Sequence, residues 1–122
     1  MNNRFEFRVW YKGAYTFFNF DTLNQESRLF FENEIKNNNV EQCTGLKDKN
    51  EKLIYEGDSV KWETNSQSLG KQIIIGVITF DSYNTRYQIT TKNNIYAFGK
   101  EYQIEEKIQI IGNIHENPEL LK

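Results

Sequence analysis

Gln42-Cys43-Thr44-Gly45-Leu46-Lys47-Asp48-Lys49-Asn50-Glu51-Lys52-Leu53-Ile54-Tyr55-Glu56-Gly57-Asp58-Ser59-Val60 is the stretch that organises this chain. A turn at Thr44-Gly45 leads into the solvated reversal Lys47–Lys52, where Asp and Asn favour tight turns by bonding nearby backbone. Leu53-Ile54-Tyr55 then runs into Glu56-Gly57-Asp58. Gly57 can take a positive φ there, and the flanking acids are expected to stay in water. Val60 and Trp62 follow on one side of a strand, with Ser59, Lys61 and Glu63 on the other. Short apolar segments separated by turn residues are β signals, and no catalytic constellation sits among them.

The same signals recur on both sides. Towards the N-terminus, Phe5, Phe7 and Val9 alternate with Arg4, Glu6 and Arg8, the period of a half-buried strand. Lys12-Gly13 interrupts and the aromatic run Tyr15–Phe20 resumes, which predicts a β-hairpin. Asp21–Lys36 is ambiguous. Thr22 and Gln25 have capping-box spacing, and Leu23, Ser27, Phe30, Phe31 and Ile35 can share a helical stripe, yet Leu29-Phe30-Phe31 also reads as a short strand. Asn37-Asn38-Asn39 is a loop in either case.

Towards the C-terminus, the polar stretch Thr64–Gln72 is the best candidate for a mobile loop. Ile73–Phe80 carries too many apolar residues for one wet face, so both faces should be covered, with Gly76 as a place to bend. Tyr87–Thr91 and Ile95–Phe98 flank Lys92-Asn93-Asn94 as another hairpin. Ile108, Ile110, Gly112 and Ile114 form a last alternating strand. Asn117 as N-cap and Pro118 at the first helical position predict a short closing turn over Glu119-Leu120-Leu121. The expected architecture is all-β: an N-terminal β-hairpin region packed on a small SH3-like β-barrel, with a short C-terminal helical turn. Residues 1–122 read as one domain, with an N-terminal β region over 1–45 and a barrel-like region over 46–122.

A length of 122 residues suits one domain that needs no staples. Leucines are scarce, but aromatics make up 15% of the chain, and their large buried areas can supply a core. A formal charge of −2 gives no general pull on phosphate backbones, so nucleic-acid binding would need a local basic patch. One cysteine cannot form an internal disulfide and fits a reducing compartment. Met1-Asn2-Asn3-Arg4 opens without an apolar signal region, and no apolar run is long enough to span a bilayer. A soluble protein of the bacterial cytoplasm is expected, with no membrane role.

Three blocks carry a family resemblance. Thr44-Gly45-Leu46-Lys47-Asp48-Lys49-Asn50, Ile54-Tyr55-Glu56-Gly57-Asp58-Ser59-Val60 and Ile110-Ile111-Gly112-Asn113-Ile114-His115-Glu116-Asn117-Pro118-Glu119-Leu120 together resemble the YopX family of phage and prophage proteins. Phe5-Glu6-Phe7-Arg8-Val9-Trp10 is similar to that family's opening Phe-Arg-Ala-Trp strand. Thr44, Gly45, Leu46, Lys47, Asp48, Glu56, Gly57, Asp58, Gly112, Asn113, Glu116, Asn117 and Pro118 are the motif positions. Two residues depart from the pattern: Glu51 stands where a glycine is frequent, and Ser59 where an apolar β-branched residue is usual. The resemblance implies a β-rich protein encoded by a phage or prophage. It brings no activity and no catalytic residues with it.

Residue chemistry points the same way. His115 is the only histidine, which excludes two-histidine mechanisms; with Glu116 and Glu119 it makes at most a weak metal set. Cys43 has no basic neighbour to activate it and reads as a small buried hydrophobe. Asp48, Glu56 and Asp58 read as turn residues rather than paired catalytic acids. Gly57, Gly70 and Gly76 lack phosphate-loop spacing. Among the aromatics, Trp10, Tyr11, Tyr83, Tyr87, Tyr96 and Tyr102 cannot all be core. Tyr83, Arg86, Tyr87, Lys92 and Tyr96 are the expected interaction surface. The expectation is an accessory protein, not an enzyme, with neither cofactor nor metal. It would be a self-associating module that forms a homo-oligomer or meets a phage or host protein. The alternative is a small β-barrel that stacks single-stranded nucleic acid on its tyrosines.

Overall fold

Alternation of Phe7 and Val9 with Glu6 and Arg8 does produce a strand, β1 (Glu6–Tyr11), in the computed structural model, which describes residues 6–19, 24–37, 39–98 and 107–117. β1 returns antiparallel as β2 (Ala14–Asn19), the pair Tyr11 and Ala14 closing a two-residue reversal. Lys12 and Gly13 both take positive φ, 51° and 84°, the combination whose twist matches the flanking strands. The chain forms two compact units, Met1–Gly45 and Leu46–Lys122.

The ambiguous segment is a helix, α1 (Gln25–Lys36). Its start is fixed by Asn24, whose Oδ1 accepts from the Ser27 amide at 2.9 Å while Ser27 Oγ accepts from the Asn24 amide at 2.9 Å. This reciprocal cap satisfies amides that the first turn otherwise leaves open. Thr22, the expected capping residue, lies outside the described residues. The buried face is also rotated from the expected stripe: Phe31 and Glu34 are buried, whereas Leu29 and Ile35 are exposed. Phe30 and Phe31 meet Phe7, Tyr11 and Phe18 of the hairpin with ring centroids 5.3–5.8 Å apart. Aromatic edges and faces thus supply the apolar contact that leucine would give elsewhere.

β3 (Val40–Lys47) lies antiparallel on the other side of β1, with Arg8 opposite Glu41. These two charges are buried and paired, Arg8 Nε to Glu41 Oε1 at 2.8 Å. The Tyr15 hydroxyl donates to the same oxygen at 2.8 Å, and the guanidinium lies 3.9 Å from the Tyr15 ring centre.

In the second unit the end of β3 reverses through Asp48–Lys52 into β4 (Leu53–Tyr55). Glu51 holds φ 65°, so the position where the family pattern has glycine is a left-handed one occupied here by a side chain. β5 (Asp58–Ser66), β6 (Gly70–Asp81), β7 (Arg86–Thr90) and β8 (Ile95–Ala97) form an antiparallel meander, and β9 (Ile108–Asn113) returns beside β5. The sheet order is β8-β7-β6-β5-β9. Ile54, Val60, Ile78, Ile89 and Ile108 form its core, with Leu46, Trp62, Tyr87, Tyr96, Phe98 and Ile110 packed around them. Gly76 is required where β6 crosses β7: a Cβ there would lie 2.6 Å from Ile89 Cγ2 and 2.7 Å from the Thr90 carbonyl oxygen.

The all-β reading holds, and four finer expectations change. No closed barrel forms among the described residues, because β9 pairs with β5 and its outer edge meets the Asp48 turn instead of β8. The Lys49 amide donates to Ile108 O at 2.9 Å and the Ile110 amide to Asp48 Oδ2 at 3.0 Å. Thr64–Gln72 is mostly strand rather than loop: the β5–β6 ladder continues to Ser66 opposite Gly70, leaving only three residues in the turn. Backbone pairing carries that arm outward, and Gly70 at φ 70° closes it. Ile73 and Ile75 are exposed, so the apolar run in β6 is not covered on both faces. Asp48 and Asp58 are buried, not solvated. The closing turn over Glu119–Leu121 lies outside the described residues.

Candidate interaction surface

The motif residues build turns. Asp48 Oδ1 accepts from the amides of Asn50 and Lys52, each at 2.9 Å, while its other oxygen takes the Ile110 amide. One buried carboxylate therefore shapes the hairpin and fastens it to β9. Asp58 Oδ2 accepts from the Tyr55 amide at 2.8 Å, closing the Glu56-Gly57 reversal in which Gly57 has φ 87°. Asn113 Oδ1 accepts from the amides of His115 and Glu116, both at 2.9 Å. Gly112 leaves room for the Asn117 side chain, whose Cγ would stand 2.8 Å from a Cβ. Thr44 and Gly45, expected to turn, lie instead within β3, with Thr44 buried and Gly45 at φ 82°. Asp48, Asp58 and Asn113 are accounted for by backbone amides that would otherwise lack partners, and Gly112 by space a side chain would fill.

Cys43 is fully buried, and its sulfur faces the Gly45 amide at 3.4 Å. His115 sits exposed in the turn after β9. Among the described residues, no three of His, Cys, Asp or Glu gather in a group that could hold a metal ion.

The five expected surface residues do not share a face. Tyr87 packs against the core and meets Phe80 edge-on at 5.1 Å. Tyr96 does the same with Trp62 at 5.5 Å. Arg86 pairs with Asp81 and points to the opposite side of the sheet from Tyr87, as neighbours in a strand must. Lys92 stands in the β7–β8 turn, and Tyr83 lies in the β6–β7 turn, 93% exposed.

The surface that sequence reasoning missed lies along the row of β6 that alternates with Ile78: Lys71, Ile73 and Ile75 are exposed, Val77 is buried, and Thr79 and Asp81 are half-buried. Ile73 and Ile75 are 56% and 37% exposed, and Ile95 on β8, beside Thr90, extends the apolar area. Val77 and Thr79, with Thr90, Thr91 and Lys92, line a hollow of about 220 Å³. Thr79 and Thr90 share a hydroxyl–hydroxyl bond of 2.8 Å at its wall.

Charges border the row at both ends. Glu63, opposite Ile73, lies 3.4 Å from Lys61 Nζ and 3.9 Å from Lys71 Nζ, and the hydrogen bond from Lys61 does most to hold its carboxyl below the usual carboxylate range. Asp81 is also held low, chiefly by the Asn84 side-chain amide at 2.7 Å. A period-two reading of β6 exposes the signal: one row runs from a cation to an anion through three aliphatic residues, while the other is Gln72, Ile74, Gly76, Ile78 and Phe80. The row with charged ends reaches water at Lys71, Ile73 and Ile75 but is buried at Val77, and the other row leaves Phe80 43% exposed.

Among the described residues, no helix is long and apolar enough to cross a membrane. No curated protein matches the chain. Of solved structures, the crystal structure of protein EF1440 from Enterococcus faecalis is similar at a TM-score of 0.42 and 20% identity, covering 94% of this chain and 74% of that one. The family model described as YopX protein matches residues 6–122. That span begins at the first residue of β1 and takes in every turn built by Asp48, Asp58 and Asn113, and on this match the chain belongs to the YopX protein family.

Proposed function

We propose that the protein is a phage- or prophage-encoded accessory protein of the bacterial cytoplasm that works by self-association and catalyses no reaction of its own. The observation that supports this most is the outward row of β6. Where β6 runs beyond its pairing with β7, joined to β5 alone, Ile73 and Ile75 stand in water, and Ile95 of β8 is exposed on the same face of the sheet. Covering apolar surface is favourable by roughly 25 cal/mol per Å², so such a face gains by meeting another surface. Both signs of charge border it, which suits a protein partner better than a polyanion.

The nucleic-acid alternative has less behind it. Tyr87 and Tyr96, the rings expected to stack bases, are half-buried and engaged with Phe80 and Trp62. The ionised Glu63 and Asp81 share the outward face with Arg86 and would oppose a phosphate backbone.

Size-exclusion chromatography with light scattering, from micromolar to several hundred micromolar protein, tests the reading. A dimer or larger species is expected, and a strict monomer throughout overturns it. Fluorescence anisotropy with single-stranded oligonucleotides at low salt should show no binding; salt-sensitive binding would move the assignment to nucleic acid.

A further inference from the structure

Resting on that reading, we infer that copies of this chain meet at the outer edge of β8, which pairs antiparallel with β8 of a second copy across a two-fold axis at Tyr96. The direction of the backbone hydrogen bonds carries the inference. The Phe98 amide donates to Tyr87 O at 3.0 Å, and the Thr91 amide donates to Asn94 O at 2.9 Å. Gln88, Ile89 and Thr90 stand opposite Ala97, Tyr96 and Ile95, so alternation along the ladder turns the N–H and C=O of Tyr96 towards β7. Those of Ile95 and Ala97 therefore point away from the sheet, and among the described residues neither finds a hydrogen-bond partner. Ile95 is also 61% exposed. A strand edge of this kind is a template for another strand.

The two outermost strands of this sheet differ, and the difference selects a second copy. At the far side the Asp48 turn meets β9, through the Lys49 amide on Ile108 O and the Ile110 amide on Asp48 Oδ2. With only β8 open, joining edge to edge closes at two copies and does not run on into a filament. Centring the axis on Tyr96 is the overlay that pairs the whole of β8 (Ile95–Ala97). Ile95 then lies opposite Ala97 of the second copy and Ala97 opposite its Ile95, and their outward N–H and C=O groups bond reciprocally. The larger side chain stands against the smaller on one face. On the other, Tyr96 meets Tyr96, an aromatic cross-strand pair. No charged residue lies in β8, so no like charges meet at the axis.

Sedimentation velocity over a dilution series, with amide hydrogen exchange followed residue by residue by NMR, tests this. A short edge makes a small contact, so the series must reach several hundred micromolar protein. As concentration rises, exchange at the Ile95 and Ala97 amides should slow, while the Tyr96 amide, directed at β7, stays protected throughout. Ala97→Pro removes an outward N–H without taking a bond from the β7 ladder, a placement edge strands accept. It should raise the dimer dissociation constant at least tenfold. Ile95→Lys puts a charge on the exposed edge and should do the same as an independent second probe. Circular dichroism melts should stay close to the parent. If Ala97→Pro melts early, Ile95→Lys and the exchange profile carry the decision.

Concentration-dependent protection at Ile95 and Ala97 together is the signature of the edge contact, because packing through a sheet face would leave both amides open. If the parent associates while these amides exchange alike at every concentration, or while both variants associate as before, β8 is not the contact, and self-association itself still stands. Protection of one of the two amides without the other overturns the axis at Tyr96. A parent that stays monomeric removes both this inference and the reading beneath it.

Discussion

Ser59 Oγ is the buried side-chain oxygen that finds no hydrogen-bond partner among the described residues, in a residue with no exposed surface. The family pattern has an apolar residue there, and the environment agrees: Val77 and Gly112 stand opposite on the neighbouring strands. A hydroxyl stripped of water and left unpaired costs about 1–3 kcal/mol, so Ser59→Ala should stabilise the fold by about 1 kcal/mol. The midpoint of urea unfolding should rise with an unchanged slope; a fall would mean that the hydroxyl has a partner in solution. Glu51 is the second departure. Its φ of 65° places a Cβ where glycine suffers no clash. Left-handed backbone costs an ordinary residue about 1–2 kcal/mol, and the extra freedom of unfolded glycine offsets part of the gain, leaving about 0.5–1 kcal/mol for Glu51→Gly. Thermal unfolding followed by circular dichroism reads this as a rise of a few degrees, and no rise would show that the strain is relieved elsewhere.

Arg8 and Glu41 join β1 to β3 through a buried ion pair that Tyr15 completes from β2. Removing one partner strands the other charge in a low-dielectric site, so Arg8→Met should cost about 3–5 kcal/mol. Replacing both, as Arg8→Met with Glu41→Leu, should recover most of that loss. Denaturant unfolding of the two variants decides the point; equal loss in single and double variants would mean that packing, not charge, holds these strands together. The same elements show what the chain discloses by itself. The β1–β2 and β7–β8 hairpins are legible because Lys12-Gly13 and Lys92-Asn93-Asn94 determine their own reversals. The helix is legible once Asn24 is recognised as its cap, three residues before Ser27. Asp48 is not legible in the same way. A charged residue in a polar turn reads as solvated, but the amide that buries it belongs to Ile110, 62 residues away. Pairing of β9 with β5, which leaves the sheet open, is equally a long-range choice that no local pattern records.

At the scale of the molecule, charge and apolar surface on the outward face of the second sheet belong together, and register decides which residues share it. Tyr87 and Tyr96 looked available in the sequence because period-two alternation cannot say which row faces the core. The pairing of Ile78 with Ile89 settles that row and sends Arg86, Ile75 and Lys61 to the other side. Electrostatics on this face predict a specific response to acid. The Glu63 carboxyl is lowered first by its hydrogen bond from Lys61 and then by the charge of Lys71, and Asp81 first by the Asn84 amide. A carboxyl whose folded pKa lies below its unfolded value adds stability that is present above the unfolded value and is lost as pH falls through the folded one. Unfolded Glu and Asp titrate at roughly 4.3 and 3.9, so this contribution should be intact at neutral pH and disappear only below roughly pH 4. Carboxyl carbon shifts followed by NMR should give midpoints for both residues beneath those of free side chains. Lys61→Met should raise the Glu63 midpoint and leave Asp81 unmoved, while Asn84→Ala should do the reverse. Movement of both midpoints in either variant would show that the two ends of the β6 row are electrostatically one site.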